Sequence, residues 1–154
     1  TATSATQMLY QILQQDLQNI GIDAQIKSYD QSAWLDKRNS GSMEMYISTW
    51  TMDYNDPANI MATFFGSAER TKLRSLNYPG SQVLDRVAAA SSIVDDSQRM
   101  AEYQALEQQI VQEDAAWVPL FERAHQFAVS SRVSSYTPHW AGYSDFYVKD
   151  VTLK

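Results

Sequence analysis

The chain has 154 residues, 44% of them hydrophobic, which is enough for one compact domain with a buried core. It contains no cysteine, which excludes disulfides, thiolate metal sites and cysteine catalysis. A net charge of -6, without any run of lysine or arginine, argues against nucleic acid as a partner, because phosphate neutralisation needs clustered positive charge. No apolar stretch reaches the roughly 18 residues that would predict a membrane span.

The first predicted elements are a helix, a strand and a short helix. Apolar residues recur at spacings of three and four over residues 5–20, which is typical of a helix with one buried face. Gly21 follows where a helix C-terminus favours glycine. Residues 22–29 alternate between apolar and polar and predict a strand. Asp30 is the expected N-cap of the short helix that comes next.

A second strand and a helix are predicted on either side of a polar turn. Residues 43–50 are almost uncharged, which suits a strand covered on both faces. Pro57 suits the first turn of a helix that ends at Gly66, and Asp56 is expected to be its N-cap rather than a ligand contact. Residues 67–80 are polar and predict a long surface loop.

The second half of the chain predicts two helices and three short strands. One helix begins at Ser81, and a longer one follows Asp95, which forms a capping-box pattern with Gln98. The three strands are expected at residues 117–122, 126–130 and 146–153. We therefore expect residues 1–154 to form a single α/β domain, a mixed sheet flanked by helices.

The segment Trp-Thr-Met-Asp-Tyr-Asn-Asp-Pro, residues 50–57, is the most distinctive stretch. It places an aromatic, a carboxylate and a second aromatic on a loop that leaves a predicted buried strand, the position where ligands collect in α/β sheets. From the residues alone, Asp53 is more simply a solvated loop acid or a residue with a local turn bond, and Trp50 and Tyr54 are equally packing aromatics. Asn55 is most simply a turn residue.

The order of these elements, together with residues 50–57, resembles the C-terminal lobe of the bacterial extracellular solute-binding proteins of family 5. These are the dipeptide- and oligopeptide-binding proteins of ABC transporters. Three further segments resemble their family counterparts at similar intervals: Asp-Asp-Ser-Gln-Arg at 95–99, Val-Pro-Leu-Phe at 118–121 and Asp-Phe-Tyr at 145–147. The resemblance covers nearly the whole chain.

The resemblance implies one lobe of a type II periplasmic-binding-protein fold, cut from a larger protein of two lobes. It implies a protein that is not an enzyme, has no cofactor and lies outside the cytoplasm, either in the periplasm or lipid-anchored at the cell membrane. The implied partners are a peptide, the N-terminal lobe of the same protein and the permease subunits of the transporter.

The resemblance also implies roles for site residues. Asp53 falls where peptide-binding members pair a carboxylate with the α-ammonium group of the peptide. Trp50 falls where the family has an aromatic pocket wall, and Tyr54 lies beside them. Some members have an arginine for a peptide carboxylate where this chain has Ile47, so recognition of a free C-terminus at that point is in doubt.

Other functions remain open. The lobe could sense a solute within a transcription regulator, or bind a nickel chelate, haem, an opine or an oligosaccharide. A hydrolase that uses Asp53 and Asp56 as a carboxylate pair is a weaker alternative.

The remaining histidines and aromatics favour packing roles. His125 and His139 have no carboxylate at metal-ligand spacing, so no zinc or nickel site is expected. The C-terminal aromatic residues are expected to pack the end of a sheet rather than to line a groove: Trp140, Tyr143, Phe146 and Tyr147.

Overall fold

A computed structural model describes residues 4–122, 124, 126–139 and 151–154. Its α-helices, in chain order, are α1 (Ser4–Asn19), α2 (Gln31–Asn39), α3 (Ala58–Phe65), α4 (Ala68–Leu73), α5 (Ser81–Ala90) and α6 (Asp96–Gln108). A π-helical turn, Gln109–Glu113, extends α6. The strands are β1 (Val133–Tyr136) and β2 (Val151–Leu153).

The ends of the first two helices confirm the sequence signals that predicted them. After α1, Gly21 has a φ of 84°, and the N–H of Ile22 returns to the carbonyl of Leu17 at 2.9 Å. This is the left-handed ending that glycine favours. Before α2, the Asp30 carboxylate accepts a hydrogen bond from the N–H of Ala33 at 2.8 Å. Asp30 is thus a side-chain N-cap.

The predicted cap at Asp95 is confirmed, whereas the N-cap position of α3 is occupied by Pro57 and Asp56 lies one residue before it. Asp56 Oδ1 accepts from the N–H of Ala58 at 2.8 Å, at the first residue of α3. Asp95 Oδ1 accepts from the N–H of Gln98 at 2.8 Å, and α6 begins at the next residue after Asp95. Both carboxylates satisfy amide groups that have no partner within the helix.

The prediction of a loop over residues 67–80 was wrong in its first half, where α4 lies. Ser67 caps this helix by accepting from the N–H of Arg70, and the side chain of Thr71 is buried. A helix of 6 residues with one buried position produces no apolar stripe, so its periodicity could not be seen.

The predicted mixed sheet is also not found in the described part of the chain. Residues 22–29, 43–50 and 117–122, and the described residues of 126–130, have no strand pairing. The observed sheet has two antiparallel strands, with Val133 opposite Leu153 and Tyr136 opposite Val151. β2 falls within the predicted strand 146–153, whose residues 146–150 lie outside the described residues. An alternating pattern marks the two faces of a strand but does not supply the neighbouring backbone that a ladder needs.

The buried core lies between α3, α5 and α6. Four of its largest side chains are almost fully shielded from solvent: Phe65, Val87, Leu106 and Ile110. α3 packs against α4 and α5, and α5 packs against α6. Trp117 closes the core with ring contacts to Phe64 at 5.1 Å and Phe65 at 4.9 Å. This core fixes the N-terminal end of α3, to which residues 50–57 lead.

The apolar face of α1 is only partly covered. Leu9, Leu13 and Leu17 are half-buried, whereas Met8 and Ile12 are exposed. Polar contacts attach the helix to later segments: Tyr10 Oη accepts from the N–H of Ile47 at 2.9 Å, and Gln14 donates to the carbonyl of Ala24 at 2.7 Å. None of the described helices is long and apolar enough to cross a bilayer.

Candidate ligand-binding site

A single buried amide organises the loop that precedes α3. Asn59, only 3% exposed, accepts a hydrogen bond from the indole N–H of Trp50 at 2.7 Å. Its Nδ2 group donates to Asp53 Oδ2 at 3.4 Å. The amide therefore joins two of the three predicted site residues, which lie on the same loop.

The Asp53 carboxylate is exposed and makes few contacts with other side chains. Among the described residues, the Asp53 side chain has one hydrogen bond, the long one from Asn59. No lysine or arginine in the described part of the chain forms an ion pair with it. A carboxylate has about four acceptor positions, so most of its capacity is available to a ligand.

Trp50 has a ring neighbour and a cation beside it. Its indole meets the ring of Phe64 edge to face at 5.3 Å, and the Arg74 guanidinium lies 5.1 Å from the indole centroid. The side chain is nevertheless 37% exposed. Trp50 is thus oriented by its contacts while part of its surface remains accessible.

Asp56 has a different role from Asp53. While Oδ1 caps α3, Oδ2 forms an ion pair with Arg99, which also binds Asp96 at 2.9 Å. Both oxygens of Asp56 are therefore committed to holding α3 against α6. Asp56 thus contacts the first residue of α3 and Arg99, although Pro57 holds the N-cap position, and these contacts disfavour a catalytic pair with Asp53.

Tyr54 is not brought into these contacts. Its side chain is 50% exposed, and it has no hydrogen bond or ring contact with the described residues. The structure thus connects Trp50 with Asp53 but leaves Tyr54 without an observed role.

An open cavity of about 490 Å³ lies on the α6 side of this loop. Its lining combines apolar side chains with the Asp56 ion pair: Met52, Asn55, Asp56, Pro57, Ile60, Asp96, Arg99 and Met100. None of the three predicted site residues lines it. Among the described residues, no group of three or more histidine, aspartate or glutamate side chains could hold a metal ion.

Several residues considered in the sequence cannot be placed. His125 and the aromatic residues Trp140, Tyr143, Phe146 and Tyr147 lie outside the described residues. His139 is described and half-buried.

Sequence reasoning missed Asn59 and Arg74. Asn59 carried a usable signal, because it is a polar residue on the buried face of an otherwise apolar helix, and such a residue needs hydrogen-bond partners. Arg74 carried none, because its contacts with Trp50 and Phe64 depend on how α4 packs beside α3.

Comparison with known sequences finds one matching family. Residues 1–72 match the family described as "Bacterial extracellular solute-binding proteins, family 5 Middle". This range includes Trp50, Asp53 and Tyr54. With the relatives described next, the match confirms the resemblance seen in the sequence.

Three relatives come from Escherichia coli. The periplasmic oligopeptide-binding protein OppA is 26% identical over 77% of this chain and 21% of its own length. The probable D,D-dipeptide-binding periplasmic protein DdpA is 28% identical over 80% of the chain and 24% of its length. The periplasmic murein peptide-binding protein MppA is 28% identical over 68% and 19%.

The chain thus spans about a fifth to a quarter of the length of these relatives. No solved structure gives a significant match. The relatives are named as periplasmic binding proteins, which agrees with an extracytoplasmic location and with a binding rather than a catalytic family.

Proposed function

We propose that this chain is the C-terminal lobe of a two-lobe protein that captures peptides for an ABC importer, without chemical conversion of the peptide. The names of the relatives support peptides as the ligand class, and the family description supports a binding role outside the cytoplasm. Periplasmic and lipid-anchored forms are both compatible with this function.

The observation that carries the proposal is the state of Asp53. Its carboxylate is held by a buried amide, remains exposed and has no cationic partner among the described residues. In a cleft closed by a second lobe, such a group would favour the α-ammonium of a peptide. A charge-assisted hydrogen bond of this kind contributes about 1.5–3 kcal/mol.

The mechanism is capture by closure. The peptide contacts Asp53 and the Trp50 wall on this lobe and a second wall on the N-terminal lobe, and so shifts the population from open to closed. The closed form docks on the permease subunits. An isolated lobe supplies only one wall, so its own peptide affinity should be weak.

The test is calorimetry on the full-length protein with Asp53→Asn, which removes the charge and preserves the shape. We expect peptide affinity to fall on the order of 10- to 100-fold. N-acetylated peptides should bind the wild type as weakly as free peptides bind the variant. Asp85→Asn, at an exposed acid on α5, is the matched control and should leave affinity unchanged.

Equal affinity of wild type and Asp53→Asn for free peptides would remove Asp53 from the site. If acetylation also had no effect, the proposed recognition of the ammonium group would be wrong. Co-purification of an oligosaccharide or a metal chelate, in place of peptides, would contradict the ligand class.

A further inference from the structure

The open cavity of about 490 Å³ between the start of α3 and the start of α6 has no role in the proposed function. We call it the α3–α6 groove. Its volume lies within the range of about 300–1,000 Å³ that is typical of small-molecule sites. Its lining also combines an apolar wall with a few charged groups, as such sites do. The apolar wall consists of Met52, Pro57, Ile60 and Met100.

The α6 side of the groove is one stripe of that helix. Asp96, Arg99 and Met100 follow one another at spacings of three and one, and Tyr103 continues the stripe one turn further on. Tyr103 is only 2% exposed, and its hydroxyl has no hydrogen-bond partner among the described residues. Burial, followed by the charge of Asp56, raises the pKa of Tyr103, whereas Arg99 lowers it. The unpartnered hydroxyl therefore lies near the Asp56–Arg99 ion pair.

The charged side chains of the groove favour a cation over an anion. They are two carboxylates, Asp56 and Asp96, and one guanidinium, Arg99, which leaves an excess of negative charge. The guanidinium already donates to both carboxylates, so it has little left for an anion. The first amides of α3 and α6 are likewise bonded to Asp56 and Asp95. An arriving cation would meet a favourable field.

Asp96 is the group that such a cation can reach. Its side chain is 87% exposed, and Oδ1 accepts from Arg99 at 2.9 Å. Oδ2 has no hydrogen bond within the described part of the chain. Both oxygens of Asp56, in contrast, are committed to the N–H of Ala58 and to Arg99. A carboxylate oxygen without a partner accepts readily from an ammonium group.

The apolar wall suits the body of the same ligand. Met52 and Ile60 are half-buried, and Met100 is exposed at the edge of the groove. Methionine side chains adapt their shape to a ligand, and their sulfur atoms contact aromatic rings favourably. A ligand with a ring or a short alkyl chain next to its charge would therefore match both parts of the lining.

We propose that the α3–α6 groove binds a small amphipathic amine, whose ammonium group pairs with Asp96 and whose apolar body lies against Met52 and Met100. The bound amine would contact loop 50–57 through Met52. None of Trp50, Asp53 and Tyr54 lines the groove, so this site is separate from the one assigned to the peptide.

The experiment is methyl NMR on the full-length protein with ¹³C-labelled methionine methyl groups, because two of the methionines line the groove. Phenethylamine is the probe, 2-phenylethanol is its neutral counterpart, and 3-phenylpropionate is its anionic one. Spectra of Met52→Leu and Met100→Leu assign the two signals. We expect phenethylamine to shift both signals and to leave those of Met8 and Met45, which are exposed elsewhere, in place.

The charge of the probe should determine its affinity. We expect 2-phenylethanol to bind at least about threefold more weakly than phenethylamine, and 3-phenylpropionate more weakly still. Asp96→Asn should lower the affinity for phenethylamine to that for the alcohol. Asp85→Asn, at an exposed acid on α5 outside the groove, is the matched control and should leave the affinity unchanged.

Four results would overturn the proposal. The first is no shift of the Met52 and Met100 signals up to about 50 mM phenethylamine. The second is an equal shift of all exposed methionine signals, which would indicate non-specific binding. The third is equal affinity for the three probes. The fourth is the same loss of affinity in Asp85→Asn as in Asp96→Asn, which would indicate an effect of overall charge rather than a site.

Discussion

At the scale of single residues, Asn59 matters more to the candidate site than its neighbours in the loop. It is a buried amide whose oxygen and nitrogen have partners in two different side chains, Trp50 and Asp53. A buried polar group of this kind stabilises a structure only while its hydrogen bonds are formed. The positions of the aromatic and of the carboxylate thus depend on one side chain in α3.

Asn59→Ala should therefore destabilise the protein by about 1–3 kcal/mol, because the indole N–H of Trp50 loses its acceptor inside the structure. Urea unfolding followed by circular dichroism measures the change. Asn55→Ala, at an exposed residue of the same loop, is the control and should shift the free energy of unfolding by less than about 0.5 kcal/mol. Equal stability of the two variants would show that the amide does not anchor the loop.

The sequence could indicate part of this site. Asp53, Trp50 and Tyr54 lie close together in a segment that resembles a family pattern, and their roles in ligand binding are proposals. Asn59 and Arg74 lie 9 and 24 positions beyond Trp50, and their contacts with it are tertiary. Patterns within a short window report neighbours along the chain, so they could not report these contacts.

At the scale of elements, local signals predicted the helices well and the strands poorly. A cap is complete within four residues, as Asp30 with Ala33 and Asp95 with Gln98 show. A strand needs another segment alongside it, and residues 22–29 and 43–50 have none in the described part of the chain. The backbone hydrogen bonds of a helix join residues four positions apart, whereas those of a strand join it to a segment that can be distant in the sequence. Local patterns therefore report helices better than strands.

The cap of α2 predicts a specific response to acid. The N–H of Ala33 and the hydroxyl of Ser32 lower the pKa of Asp30 below 3.8 in the folded protein. The ionised carboxylate is therefore favoured by folding. Its stabilising effect is present above about pH 3.8 and is lost as the pH falls through the lower, folded-state pKa.

Asp30→Asn tests this response, because asparagine caps helices about as well as aspartate but does not titrate. We expect the two proteins to have similar stability at about pH 7, and the wild type to lose more stability than the variant by about pH 3. Urea unfolding at both pH values measures this difference. An identical loss in both proteins would mean that the charge of Asp30 contributes nothing to α2.

At the scale of the whole molecule, the buried core of the described residues lies within residues 58–117. Tyr78 shows how distant segments are joined there: its ring meets Phe65 edge to face at 5.5 Å, and its hydroxyl donates to the Asp114 carboxylate. Asp114 directly follows the π-helical turn that extends α6. The bond therefore connects the loop after α4 to the C-terminal end of this helical segment. Burial and the Asp114 carboxylate raise the pKa of Tyr78 to about 12.

A raised tyrosine pKa means that the folded protein retains a proton that the unfolded chain has lost. The stabilising effect is complete below about pH 10 and is lost as the pH rises to about 12. Tyr78→Phe keeps the ring and removes the hydroxyl. We expect it to lower stability by about 1 kcal/mol at neutral pH and to reduce the further loss at about pH 11.

Urea unfolding at the two pH values tests Tyr78→Phe against Tyr54→Phe, which alters a half-exposed tyrosine. Tyr54→Phe should behave as the wild type at both pH values. If Tyr78→Phe lost as much stability in alkali as the wild type, the bond to Asp114 would not be the source of the dependence.

The placement of Trp50 also gives the molecule a built-in optical reporter. Its indole is partly open to solvent and stacks beside a guanidinium, so its ultraviolet emission responds to whatever displaces water or charge at that loop. Trp117, enclosed between Phe64 and Phe65, and Trp34, which lies beside Arg38, contribute background emission that Trp→Phe variants at these two positions would remove. Events at the loop can therefore be followed in real time, without attaching a dye.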